Sequence, residues 1–108
     1  MKIVILESPY AGDVHRNALY ARECMLDSLK RNEAPMVSHL LYTQCLNDLI
    51  PDERERGINA GLTWGKVAEK TIVYTDYGIS KGMQYGIDNA IENGREVEYR
   101  KILENDKT

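Results

Sequence analysis

The run Thr71-Ile72-Val73-Tyr74 is β-branched and apolar, stops at the turn Thr75-Asp76-Tyr77-Gly78, and gives way to a helical pattern that opens at Ser80. Strand, turn and helix N-terminus in direct succession constrain the fold of this chain more than any other segment. The same order opens the chain: Lys2 to Leu6 reads as a strand, followed by Glu7-Ser8-Pro9-Tyr10-Ala11-Gly12-Asp13 and a second helical pattern. Ile3, Val4, Ile5 and Leu6 are apolar without alternation, as in a strand buried on both faces of a parallel sheet. At the end of such strands, free backbone N–H groups and helix dipoles favour an anionic ligand. Two polar turns at two strand ends predict one ligand site.

The remaining segments extend the same alternation. Met1–Leu6 is the first strand. A helix follows from Asp13 to about Arg31, with Ala18, Ala21, Met25 and Leu29 recurring at helical spacing and Leu26 beside them. Ala34-Pro35-Met36-Val37-Ser38 reads as a short strand, and Leu40 to Asn47 as irregular chain over an apolar surface. A second helix is expected from Pro51 to about Lys70, with Asp52, Glu53 and Glu55 suited to its N-terminal dipole. Its small-residue face, Gly57, Ala60, Gly61, Trp64, Val67 and Ala68, predicts close packing on the sheet or on a second subunit. Thr71–Thr75 is a strand, Ser80–Asn93 a helix with Met83, Ile87, Ala90 and Ile91 inward, and Gly94 its C′ residue. Arg95–Tyr99 makes the last strand, and Ile102 to Thr108 reads as a frayed polar tail. The order predicts a small α/β three-layer fold of Rossmann or flavodoxin-like type. It has a mostly parallel sheet of about four strands with helices on both faces, in one domain over 1–103 with a tail at 104–108.

Composition removes several function classes. Fourteen basic against seventeen acidic residues give a net charge of −3 without a basic block, so a nucleic-acid polymer is not an expected partner. No apolar run has the length of a membrane span, and the chain opens on a strand pattern rather than a signal peptide. Cys24 and Cys45 lie far apart and fit no metal spacing, so they read as reduced thiols of a cytoplasmic protein. Neither a metal nor a cofactor is expected. Phosphate-loop, dinucleotide and serine-hydrolase glycine motifs do not occur.

Candidate site residues fall in the two turns. Ser80 suits a helix N-cap or a phosphate contact, Lys81 offers charge, and Gly82 permits close approach. In the first turn, Ser8 and Pro9 shape the backbone, Tyr10 can stack on a base or sugar, and Asp13 caps the first helix. His39 follows the second strand and faces the same crevice or serves packing; His15 lies on a solvated helical turn. Asp76, at a strand end, is a turn cap or a carboxylate for catalysis, with Asp13 the next candidate.

These segments resemble the nucleoside 2-deoxyribosyltransferase-like superfamily, which includes deoxynucleotide N-glycosidases. The resemblance rests on the first strand with Ser8-Pro9-Tyr10, on Ile79-Ser80-Lys81-Gly82 with Ala90, and on Gly94 followed by a short strand reaching Tyr99. The chain is also similar to short phage and prophage proteins. In the superfamily a helical glutamate attacks the sugar C1′, since N-glycosidic cleavage builds positive charge there. Aligning Gly82 and Ala90 puts Gly86 at that position, and Gln84 and Asp88 point about 200° around the helix from it.

The resemblance thus implies a binding apparatus without its nucleophile. Ligand-binding residues are expected at Ser8, Pro9, Tyr10, His39, Asp76, Ser80, Lys81, Gly82 and Gly86, with no catalytic residue. The implied function is binding of a nucleotide or nucleoside-derived small molecule, such as a phage protein sequestering a nucleotide immune signal in the host cytoplasm. The alternative is an N-glycosidase or deoxyribosyltransferase with a relocated carboxylate, Asp76 or Asp13. A homo-oligomer with a shared pocket, or an interaction module working through that interface, completes the expectations.

Overall fold

A computed structural model describes residues 1–103; the expected tail at 104–108 lies outside the described residues. Four parallel strands, β1 (Lys2–Glu7), β2 (Glu33–Met36), β3 (Lys70–Tyr74) and β4 (Glu96–Arg100), stand in the order β2-β1-β3-β4. Val4 to Glu7 pair with Lys70 to Val73, and Lys70 to Tyr74 pair with Glu96 to Arg100. The helices are α1 (Val14–Lys30), α2 (Ser38–Leu41), α3 (Pro51–Trp64) and α4 (Lys81–Glu92). The expected α/β sheet with helices on both faces is the observed one.

The order has a consequence for function. From β1 the chain steps outward to β2, and from β3 it steps outward the opposite way to β4. Right-handed crossovers therefore put α1 on one face and the later helices on the other, and the direction of winding reverses between β1 and β3. A crevice opens outside the carboxyl ends of those two strands.

The pleat of β1 divides the interior. Val4 and Leu6 join Tyr20, Ala21 and Cys24 of α1, Val37, and Ile72 and Tyr74 of β3 in one closed core. Val73 instead meets Met83 and Ile87 of α4, with Val97 beside them, in a smaller cluster on the other face.

Several expectations are corrected. The buried stripe of α1 is Asn17, Tyr20, Ala21, Cys24 and Ser28, while Leu26 and Leu29 are exposed. Polar residues take that stripe because each finds a partner: Asn17 Nδ2 donates to the carbonyls of Tyr10 and Ala11, Tyr20 Oη to Asp76, and Ser28 Oγ to Glu33. The segment read as irregular holds α2 and a 3₁₀ turn at Tyr42–Gln44, where Thr43 Oγ1 and Gln44 Nε2 donate to the carbonyls of His39 and Leu40.

Helix α3 stops at Trp64, not near Lys70, because Gly65 follows and Arg95 Nη1 donates to its carbonyl. Part of its glycine face packs on α2 and the turn after it, where Gly57 and Gly61 meet Tyr42, Leu46 and Ser38. A Cβ at Gly61 would come within 2.9 Å of the Ser38 Cβ, so the glycine lets α3 press on α2. Ile91 points outward, whereas Met83, Ile87 and Ala90 are buried as expected. Gly94, with φ of 68°, is the C′ residue of α4. Ile102 packs against the α1-face core instead of fraying.

Candidate functional site

A cavity of about 130 Å³ opens where the winding reverses. Its floor is Ile5 and Glu7, the residues of β1 that alternate with core-forming Val4 and Leu6. One wall comes from α3 through Gly57, Ile58, Gly61 and Leu62, the other from α4 through Met83, Gly86 and Asn89. Tyr10, Tyr42 and Tyr85 provide aromatic edges, and Asp48, Glu53 and Arg54 charge the rim. Beyond Arg95 a second hollow of about 550 Å³ lies between the ends of α3 and α4; its lining has neither an aromatic ring nor a carboxyl group.

The two turns do converge. Ser8, Tyr10, His39, Ser80, Gly82 and Gly86 all line this cavity. Ser8 Oγ and His39 Nε2 share a hydrogen bond of 2.6 Å, and the His39 ring stands edge-on to Tyr10 at 6.5 Å between centroids. Burial lowers the His39 pKa to about 4, so its imidazole is neutral at pH 7. Ser80 caps α4, its Oγ accepting from the Met83 N–H at 3.3 Å. Space is open beside Gly82, so the first turn of α4 is approachable from the cavity.

Four expected residues stand elsewhere. Pro9 is buried behind the loop, and Lys81 is exposed off the cavity. Asp13 Oδ1 accepts from the Arg16 N–H as the N-cap of α1. The Asp76 carboxylate accepts from Tyr20 Oη at 2.6 Å and from the N–H groups of Ile102 and Leu103 at 3.0 and 2.9 Å. Burial works to raise its pKa, and these hydrogen bonds together outweigh it and lower it. Asp76 anchors the chain after β4 to α1; it does not face the cavity.

Sequence reasoning passed over Glu7. Its carboxyl group lies against Gly86 so closely that a Cβ built there would overlap it. Burial raises its pKa to about 8, against the opposing pull of the Arg95 guanidinium. No hydrogen bond to this carboxyl is found among the described residues. Arg95 itself is engaged elsewhere, donating to Thr71 Oγ1, the Gly65 carbonyl and Asn89 Oδ1. The signal was present in the sequence: a glutamate follows the apolar run Ile3–Leu6, on the same side of the strand as Ile5.

Residues 2–100 match the family described as a domain of unknown function, DUF7768. The chain belongs to that family. No curated protein and no solved structure gives a match to this DUF7768 domain. Among its described residues no helix is long and apolar enough to cross a membrane, and no group of three or more His, Cys, Asp or Glu is placed to hold a metal ion.

Proposed function

We propose that this DUF7768 domain binds a nucleotide or nucleoside-derived small molecule in the cavity between α3 and α4. The observation that carries the reading is convergence. The β1 loop and the N-terminus of α4 meet at the reversal between β1 and β3, where open parallel sheets take their ligands. Aromatic edges from Tyr10, Tyr42 and Tyr85 suit the faces of a base and sugar. The approachable first turn of α4 suits a phosphate, because its N–H groups and dipole favour an anion. The resemblance of Ser8-Pro9-Tyr10 and Ser80-Lys81-Gly82 to deoxyribosyltransferase-like proteins supports the same ligand class.

The test is native mass spectrometry of the protein with nucleosides, their 5′-monophosphates, cyclic nucleotides and nicotinamide-derived nucleotides. At least one compound should bind at a one-to-one ratio with each chain, and Tyr10→Ala should weaken it by about tenfold or more. Failure of the whole panel to bind would reject the reading.

A further inference from the structure

We infer that Glu7 is the catalytic carboxyl group of this cavity and that it attacks the N-glycosidic carbon of the bound molecule. The inference rests on the nucleoside reading above and adds a reaction to it. The decisive geometry is the contact between Glu7 and Gly86. A side chain starting at residue 86 would point from α4 into the volume that the Glu7 carboxyl fills from β1. The two positions compete for one place, so a carboxyl can be delivered there from the helix or from the strand, but not from both. In this chain the strand delivers it, and glycine on the helix leaves the room.

The surroundings fit a reacting group. A carboxyl held half-buried among apolar walls normally finds hydrogen-bond partners, and Glu7 has none among the described residues. It faces a cavity with the apolar walls Ile5, Leu62 and Met83, at the carboxyl end of a central strand. The charged and titratable groups around it are Arg95 ahead of β4, His39 on α2, the cavity tyrosines, and Asp48, Glu53 and Arg54 at the rim. Cleaving an N-glycosidic bond builds positive charge on the anomeric carbon, which a carboxylate oxygen at that carbon stabilises or captures.

The step balances with water alone. A lone pair of the Glu7 carboxylate forms an O–C1′ bond as the C1′–N bond breaks. Its electron pair leaves on the base nitrogen, which takes a proton from solvent. Water then attacks C1′, the ester C1′–O bond breaks with its pair returning to Glu7, and the water's surplus proton goes to solvent. One water molecule divides one nucleoside into free base and sugar.

The experiment incubates the protein with the common deoxynucleosides and their 5′-monophosphates and measures free base by chromatography. Wild type should release base, at a rate that rises with pH and levels above about 8 as the carboxyl ionises. Glu7→Gln should bind the same compounds but release base about a thousandfold more slowly. Combining Glu7→Ala with Gly86→Glu should restore base release, because a side chain from α4 then passes through the vacated volume and brings a carboxyl back to the same cavity. Circular dichroism confirms that each variant is folded. Compounds that bind and are recovered intact overturn the reaction and leave the binding reading standing. Absence of binding overturns both. A Glu7→Gln variant as fast as wild type, or a rate that falls through pH 8, overturns the assignment of Glu7.

Discussion

The two faces of the sheet treat their carboxyl groups in opposite ways. On the α1 face, Glu33 is buried and bound by two nitrogens of Arg100, at 2.9 and 2.7 Å, with Ser28 Oγ donating at 2.7 Å. Arg100 continues to Glu98 and Lys70 closes on the same residue, each at under 2.8 Å. The Arg100 hydrogen bonds hold Glu33 below its ordinary pKa, and those from Arg100 and Lys70 lower Glu98 to about 2. On the α3/α4 face, Glu7 is half-buried at the cavity and without a hydrogen-bond partner among the described residues, and its pKa is raised to about 8. One side of the sheet uses charge to close a structure; the other keeps a carboxyl available beside a cavity. The pleat of a single strand, Val4 and Leu6 one way and Ile5 and Glu7 the other, separates the two regimes.

The largest way to break the comparison is to unpair the closed face. Arg100→Ala strands Glu33 in a buried position, and unfolding by denaturant should show a loss of about 3–5 kcal/mol. The corresponding change on the open face has the opposite sign. The folded protein keeps the Glu7 proton up to about pH 8, whereas the unfolded chain releases it near 4.5. Stability is therefore present at low pH and declines as pH rises from about 4.5 to 8. Glu7→Gln removes that penalty, so at pH 8 it should be more stable than wild type by an amount on the order of 2 kcal/mol. At pH 4 the two proteins should differ little.

Gly86→Ala comes next. Its methyl group must displace the Glu7 carboxyl, at a cost of about 1–2 kcal/mol, and the cost should shrink in the Glu7→Ala background. A double-mutant cycle reads that coupling directly. Smallest is Tyr20→Phe, which removes the hydrogen bond that its hydroxyl donates to the Asp76 carboxylate and the one that it accepts from the Asp76 N–H, and should cost about 1 kcal/mol. Because the Asp76 pKa is lowered by folding, its contribution exists above the ordinary carboxylate range and is lost as pH falls through it. Tyr20→Phe should therefore weaken stability at pH 7 more than at pH 2.

How much of this was legible in the sequence follows from what each feature depends on. The strands, α1, α4 and their caps were readable because apolar runs and cap residues are local signals. Asp13, Ser80 and Gly94 are where those signals placed them. The inward stripe of α1 was read correctly at Ala21 and Met25 but not at Leu26 and Leu29, because apolar periodicity cannot anticipate that Asn17, Tyr20 and Ser28 bury themselves on distant partners. Asp76 looked like a site carboxylate from its strand end, yet its partners are 26 or more residues away. The loops that form the cavity were identifiable by type. The Glu7–Gly86 contact was not, since it joins opposite ends of the chain and is recorded in neither segment alone.

The most direct test of the uncommitted carboxyl is its own titration. Carbon-13 NMR of the Glu7 side-chain carboxyl, assigned by comparison with Glu7→Gln, should give a pKa near 8 in the free protein. A midpoint near the ordinary 4.5 would mean that Glu7 is solvated or paired, and would contradict the contrast between the two faces.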